Sequence, residues 1–243
     1  MIRIIKFLLT GKKKLNHAFN SYFISSLRGF LLVTACLTLA SCQSGTVKQK
    51  TNGTSSESWR KINPKPKQAY EIRMQIRNIA DMPATDKSGA HFAVIEGTVQ
   101  FDVSNAATCG KSKRLAGNVP VISSHEPFHL TPISATEYVG TIYTDMILDE
   151  DYYGRGVCHW ELTEVRVALQ ARPIEGDTRF VSYLPAKKIF NDHTQMLYFW
   201  KGYYPSIGQS SHTSFGRIDL NTVKTDQRDE FFSTTLSAKD VSP

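Results

Sequence analysis

His125-Glu126-Pro127-Phe128-His129 spells H-E-x-x-H, the string with which zinc peptidases hold one metal between two imidazoles. That chemistry needs a helix, so that histidines at i and i+4 share a face and the intervening glutamate acts as general base. Pro127 stands in the middle of the required helix, where a proline costs about 3 kcal/mol. Ser123, Ser124 and Pro132 flank the string, and no third ligand follows at family spacing. The expectation is two surface histidines on a strand or loop, and no metal. A second cluster, Asp145, Asp149, Glu150 and Asp151, precedes Tyr152-Tyr153-Gly154. Oxygen-rich loops bind calcium, but the D-x-D-x-D-G spacing and its closing glutamate are absent here. Calcium, a solvated acidic turn and an acidic-aromatic face for a basic protein partner all stay open. The last is carried forward, because interfaces favour tyrosine anchors. A third segment, Trp200-Lys201-Gly202-Tyr203-Tyr204-Pro205, offers Tyr203 and Tyr204 to stack on a ligand, fill a partner's pocket or close the end of a fold. Neither a nucleophile elbow, a phosphate loop nor a dinucleotide fingerprint occurs. Neither an enzyme nor a cofactor is expected.

The elements that must position these residues read as strands. Tyr70, Ile72, Met74 and Ile76 alternate with Glu71, Arg73, Gln75 and Arg77, the pattern of a half-buried strand. Ala93 to Val103 alternates in the same way, with Gly97 marking a bulge or a close approach. Tyr138 to Tyr143 forms a third run. Cys158 to Leu162 and Val165 to Leu169 read as one long strand or two short ones. Weaker candidates are 179–184, 196–200 and 231–238, and Pro185 to Phe190 fits one short helix. Prolines 120, 127, 132, 173, 185 and 205 punctuate the intervals. About eight short strands with frequent turns predict an all-β domain, a β-sandwich of immunoglobulin- or transthyretin-like architecture.

The amino-terminal part has a different character. Gly29 to Ala40 is apolar, follows Arg28, and runs into Leu39-Ala40-Ser41-Cys42. It is too short for a bilayer span of roughly 20 residues and fits a signal h-region of roughly 7–15. The segment resembles the lipobox of bacterial lipoproteins. The resemblance implies that Cys42 receives a diacylglycerol thioether, that the chain is cut before it, and that the new amino terminus is acylated, as with palmitate. Gln43 in place of an aspartate then implies transfer to the outer membrane, with the inner membrane as the alternative. The stretch before Arg28 is long for such a leader.

Processing changes the charge balance. Residues 1–41 carry six positive charges and no Asp or Glu, so the formal net charge of +7 falls to +1 in the mature chain. A nucleic-acid partner is set aside on that ground; Lys111-Ser112-Lys113-Arg114 reads as a solvated loop. Cys36 leaves with the signal and Cys42 takes the lipid. Cys109 and Cys158 remain, and two thiols in an oxidising compartment usually pair. A catalytic thiol is the alternative reading. Residues 42–68 read as the lipidated cysteine and a flexible tether, polar and small from Gln43 to Ser56 and stiffened at Pro64-Lys65-Pro66. As a coil the tether reaches about 30 Å. Residues 69–243 make the sandwich domain.

The stretch from Thr141-Ile142-Tyr143 through Asp149 to Tyr153 and on to Cys158-His159-Trp160 resembles uncharacterised periplasmic lipoproteins of the immunity type. The resemblance implies a membrane-anchored domain that faces the periplasm and blocks a toxin with Asp149, Glu150, Asp151, Tyr152 and Tyr153, joined by Tyr203 and Tyr204. The alternative is a structural or accessory lipoprotein of an envelope assembly or secretion complex. The anchor is directly testable: Cys42→Ala is expected to move the protein from the membrane to the soluble fraction, and retention in membranes contradicts it.

Overall fold

A computed structural model describes residues 60–87, 89–111 and 119–243. Residues 1–59, with the lipobox-like segment, Cys42 and most of the expected tether, and residues 112–114 of the Lys111-to-Arg114 run lie outside the described residues. Among the described residues, ten strands form two five-stranded sheets. The first has the order β4 (Thr131–Ser134), β5 (Glu137–Tyr143), β1 (Ala69–Arg77), β10 (Phe231–Asp240), β8 (Gln195–Trp200). The second has the order β3 (Ser123–Phe128), β2 (Val94–Val103), β6 (Trp160–Gln170), β7 (Arg179–Pro185), β9 (Thr213–Ser214). All pairings within them are antiparallel except β7 with β9. The domain is an all-β sandwich carrying one disulfide, Cys109–Cys158, with Cα atoms 5.3 Å apart.

Alternation is what builds the core. Ile72, Met74 and Ile76 of β1, and Val99, Phe101 and Val103 of β2, are buried while their neighbours face outward. Between the sheets four rings meet. Phe180 lies 5.1 Å from Phe232 and 5.7 Å from Phe199, Phe199 stacks on Phe232 at 5.2 Å, and Phe92 meets Phe180 edge-on at 6.2 Å. Each such pair adds about 1 kcal/mol beyond the apolar area it buries. Ser182 and Thr234, buried on facing strands, satisfy each other's hydroxyls at 2.6 Å.

The two runs 158–162 and 165–169 are one strand, β6, which starts at Trp160. Its register against β2 slips between Gln100 and Phe101, where Gln100 faces Glu164 but Phe101 faces Leu162. Thr163 is the additional residue of a β-bulge. It flips the phase, so Trp160 and Leu162 point inward before it, and Val165 and Val167 after it. Gly97 answers to the close-approach reading instead: a Cβ there would come within 2.5 Å of the Phe128 ring. The same ring would lie 3.0 Å from a Cβ on Gly140. Phe128 ends β3 just before the chain passes to β4 in the other sheet, so the two glycines make the space in which that corner turns. The 185–190 helix is a single turn, α2 (Ala186–Ile189).

The tether ends earlier than the sequence pattern indicates. Ile62 pairs with Ile147, Asn63 N–H donates to Met146 O at 2.7 Å, and Leu148 N–H donates to Lys61 O at 2.9 Å. Lys67 and Gln68 N–H groups donate to the Asp145 carboxylate. Residues 60–68 therefore belong to the folded domain. Polar side chains conceal this in the sequence, because the segment is fixed through its backbone and not through burial.

Two consequences are measurable. Closing a loop of 49 residues stabilises by about 4 kcal/mol in the chain-entropy account. The Cys109→Ala, Cys158→Ala variant is thus expected to melt about 10 °C lower; an unchanged Tm contradicts that role. Gly140→Ala is expected to destabilise by about 2 kcal/mol through overpacking at Phe128 and the His129 carbonyl, read from a urea midpoint.

Candidate functional site

The H-E-x-x-H string lies along β3 and the residue after it. His125 and His129 are exposed, while Glu126 points inward and is buried. A strand rises about 3.3 Å per residue, so the two histidines stand roughly 13 Å apart along the chain and cannot share one metal. Glu126 is engaged otherwise: it pairs with Arg60 and accepts from Ser124 Oγ at 2.5 Å. It thereby fastens the amino-terminal end of the described domain to the edge of the second sheet. Among the described residues no group of three or more His, Cys, Asp or Glu side chains could hold a metal.

The acidic-aromatic segment is a braced loop. Glu150 pairs with Cys158 across its base, and the disulfide ties Cys158 to Cys109. Asp149 accepts from Trp160 N–H at 2.9 Å and contacts His159 Nδ1 at 2.8 Å. Glu150 pairs with Lys61. Asp151 accepts from the N–H groups of Arg155 (2.9 Å) and Tyr153 (3.3 Å), closing the turn in which Gly154 and Gly156 take positive φ. Those backbone donors, Arg155 first, hold the Asp151 carboxyl below its ordinary value. Tyr152 packs edge-on against Trp160 at 6.3 Å and donates to Leu148 O at 2.5 Å. The Lys111 ammonium sits 5.7 Å from the Tyr153 ring centre, and burial raises the Tyr153 phenol. Asp149, Asp151, Arg155, Val157 and His159 remain exposed around this frame.

Tyr203 and Tyr204 do not join this face. Asp149 to Tyr153 lies at the Trp160 end of β6, whereas Pro205, next to Tyr204, accepts from Thr178 N–H at 2.8 Å just past its other end. Eleven residues of strand separate the two by roughly 35 Å. Tyr204 is a support for the fold: its hydroxyl donates to the carbonyls of His91 (2.5 Å) and Pro83 (2.9 Å), and its ring meets Phe92 at 5.6 Å. Burial, the main cause, raises its phenol above the ordinary value.

Tyr203 instead opens onto a groove of about 620 Å³. Tyr198 and Trp200 project into it from the outer side of β8, and the segment from His212 to Glu230 folds over them. The groove is well fixed. Trp200 Nε1 donates to Glu230 at 3.0 Å, and its ring meets Tyr203 edge-on at 5.0 Å; Tyr203 meets His212 at 4.9 Å. Gly202 has the indole against it, where a Cβ would come within 2.5 Å. Thr213–Ser214 pairs with β7 while Arg217 pairs with Tyr198 of β8, so this segment also ties the two sheets together. The sequence signal for the groove is the aromatic run at 200–204. Phe215, exposed and flanked by polar residues, carried none.

No family model matches this chain, and neither a curated protein nor a solved structure matches it.

The turn at Asp151 has a pH signature. A carboxyl held below its ordinary value lends stability that is present above about pH 3.9 and lost as the pH falls through the lowered value. Hydrogen exchange at the Tyr153 and Arg155 amides is expected to stay slow down to that range and then quicken. In Asp151→Ala those amides exchange fast already at neutral pH; equal protection in both proteins contradicts the assignment.

Proposed function

We propose that this chain is a lipid-anchored protein of the bacterial envelope whose β-sandwich binds another protein, most closely as an immunity or inhibitor protein against a toxin that acts in the periplasm. The anchor rests on the lipobox-like segment ending at Cys42, with Gln43 favouring the outer membrane and the domain facing the periplasm. One observation supports the binding role above all: residues 151–157 project as an exposed loop closed at its base by the Glu150–Cys158 pairing and the disulfide. A loop fixed before it meets its partner loses little conformational freedom on binding, which favours tight association. Such a loop blocks a partner's site by shape, with half-buried tyrosines at its centre and carboxylates at its rim.

A structural or accessory role in an envelope complex is the second reading. It draws on the separate groove at the far end of β6, because a subunit held between two partners needs two surfaces.

Recovery of the tagged, lipidated protein from its native envelope separates the readings. One stoichiometric secreted toxin or hydrolase is expected. Tyr153→Ala is expected to weaken that complex by about 30-fold, as for an interface anchor worth about 2 kcal/mol, in a protein that stays folded but melts somewhat lower because the ring also packs on the core. Recovery of several membrane or secretion components together contradicts the immunity reading and supports the structural one.

A further inference from the structure

We infer that the groove between β8 and the 212–230 segment binds a neutral glycan, a role beyond the protein-binding loop proposed above. Its size falls in the ordinary range for ligand sites, about 300–1,000 Å³. Its composition is that of a sugar site rather than of a packing defect. Trp200, Tyr203 and Phe215 present aromatic surface, with Trp200 40% and Phe215 58% exposed. A pyranose has apolar C–H faces that stack on such rings and a rim of hydroxyls that must be hydrogen-bonded. Around the rings stand Tyr198, His212 and Gln227, whose side-chain polar atoms make no hydrogen bond to the other described residues. They are the donors and acceptors that rim hydroxyls require.

Two observations select a neutral sugar over the competing classes. The charged side chains lining the groove are one arginine and one glutamate, Arg217 and Glu230, so no net charge selects an anion or a cation. Both are also occupied: Glu230 accepts from Trp200, while Arg217 donates to Thr222 at 3.3 Å and lies over the Phe231 ring. A peptide added as a strand needs a free backbone edge. Here Tyr198 of β8 already exchanges both backbone hydrogen bonds with Arg217, at 2.8 Å each.

The groove continues past Phe215. That ring also lines a hollow of about 250 Å³ on the outer face of the second sheet, where Thr98 and Ala168 stand beside Arg179, paired with Glu96, and Arg166, paired with Glu164. A chain of sugars longer than the first groove would pass over Phe215 into this hollow. Affinity should therefore rise with chain length.

The test uses the full-length, detergent-solubilised protein with chitobiose, chitotetraose and cellotetraose as probes, followed by saturation-transfer NMR and tryptophan fluorescence. Saturation transfer to at least one tetrasaccharide is expected at millimolar concentration, with tighter binding of the tetramer than the dimer. Trp200→Ala is expected to weaken binding at least tenfold, and Phe215→Ala to remove the advantage of length while the dimer still binds. Both positions are exposed, and unchanged melting temperatures keep the comparison valid. Saturation transfer on the unmodified protein reads the proposal without any variant. Absence of transfer to all three sugars overturns the inference, as does binding unaffected by Trp200→Ala. Transfer to an unstructured tetrapeptide, with none to the sugars, overturns it in favour of a peptide site.

Discussion

Cys158 is the point on which the local architecture turns. Its sulfur is bonded to Cys109, its backbone pairs with Glu150, and two residues later β6 begins. The bond thus fixes the exit of β2, through Cys109, against the entry of β6, and those two strands make the largest pairing in the second sheet. Asp149 takes the Trp160 N–H and the Trp160 ring rests on Tyr152. One covalent link therefore joins the base of this projection to the core, beside the hydrogen bonds that close its turn. Exposed loops of this length ordinarily belong to the least stable parts of a fold; this one is joined to the core at its base.

The amino-terminal segment completes the arrangement. Residues 60–68 lie along 145–150, Lys61 meets Glu150, and Arg60 reaches Glu126 on the edge of the other sheet. On the proposed reading the route to the membrane anchor starts at this segment, close to the binding loop rather than at the groove. The two surfaces are then distinct in position as well as in chemistry: a rigid acidic-aromatic projection at one end of β6, and a charge-balanced aromatic groove at the other.

The strands that alternate cleanly, at 70–76, 93–103 and 138–143, were legible because burial of one face imposes a period of two. β6 was ambiguous for a definite reason. Thr163 bulges out, the apolar phase slips by one, and a pattern that assumes constant phase reads two strands. β3 and β4 carry Pro127 and Pro132 and lie at sheet edges; β3 alternates in burial, but its inward residues Ser124 and Glu126 are polar, and β4 is exposed along its length. The disulfide could be reached by counting thiols once export was assumed. The joining of Tyr203 and Tyr204 with Asp149 to Tyr153 into one face was an inference from residue type alone, and the length of β6 undoes it. The groove was out of reach, since Phe215 and Glu230 come to line it with Trp200 only when the 212–230 segment folds back across β8.

The central claim, that the disulfide-braced loop is the protein-binding surface, is tested most directly by site-specific photo-crosslinking in the native envelope. A photoreactive residue is placed in turn at Arg155, Val157 and, as a comparison, at Ile174, which is also exposed and lies past the other end of β6. The account predicts crosslinks from 155 and 157 to one and the same protein, and none to it from 174. Capture of that protein from 174 but not from the loop would contradict the account.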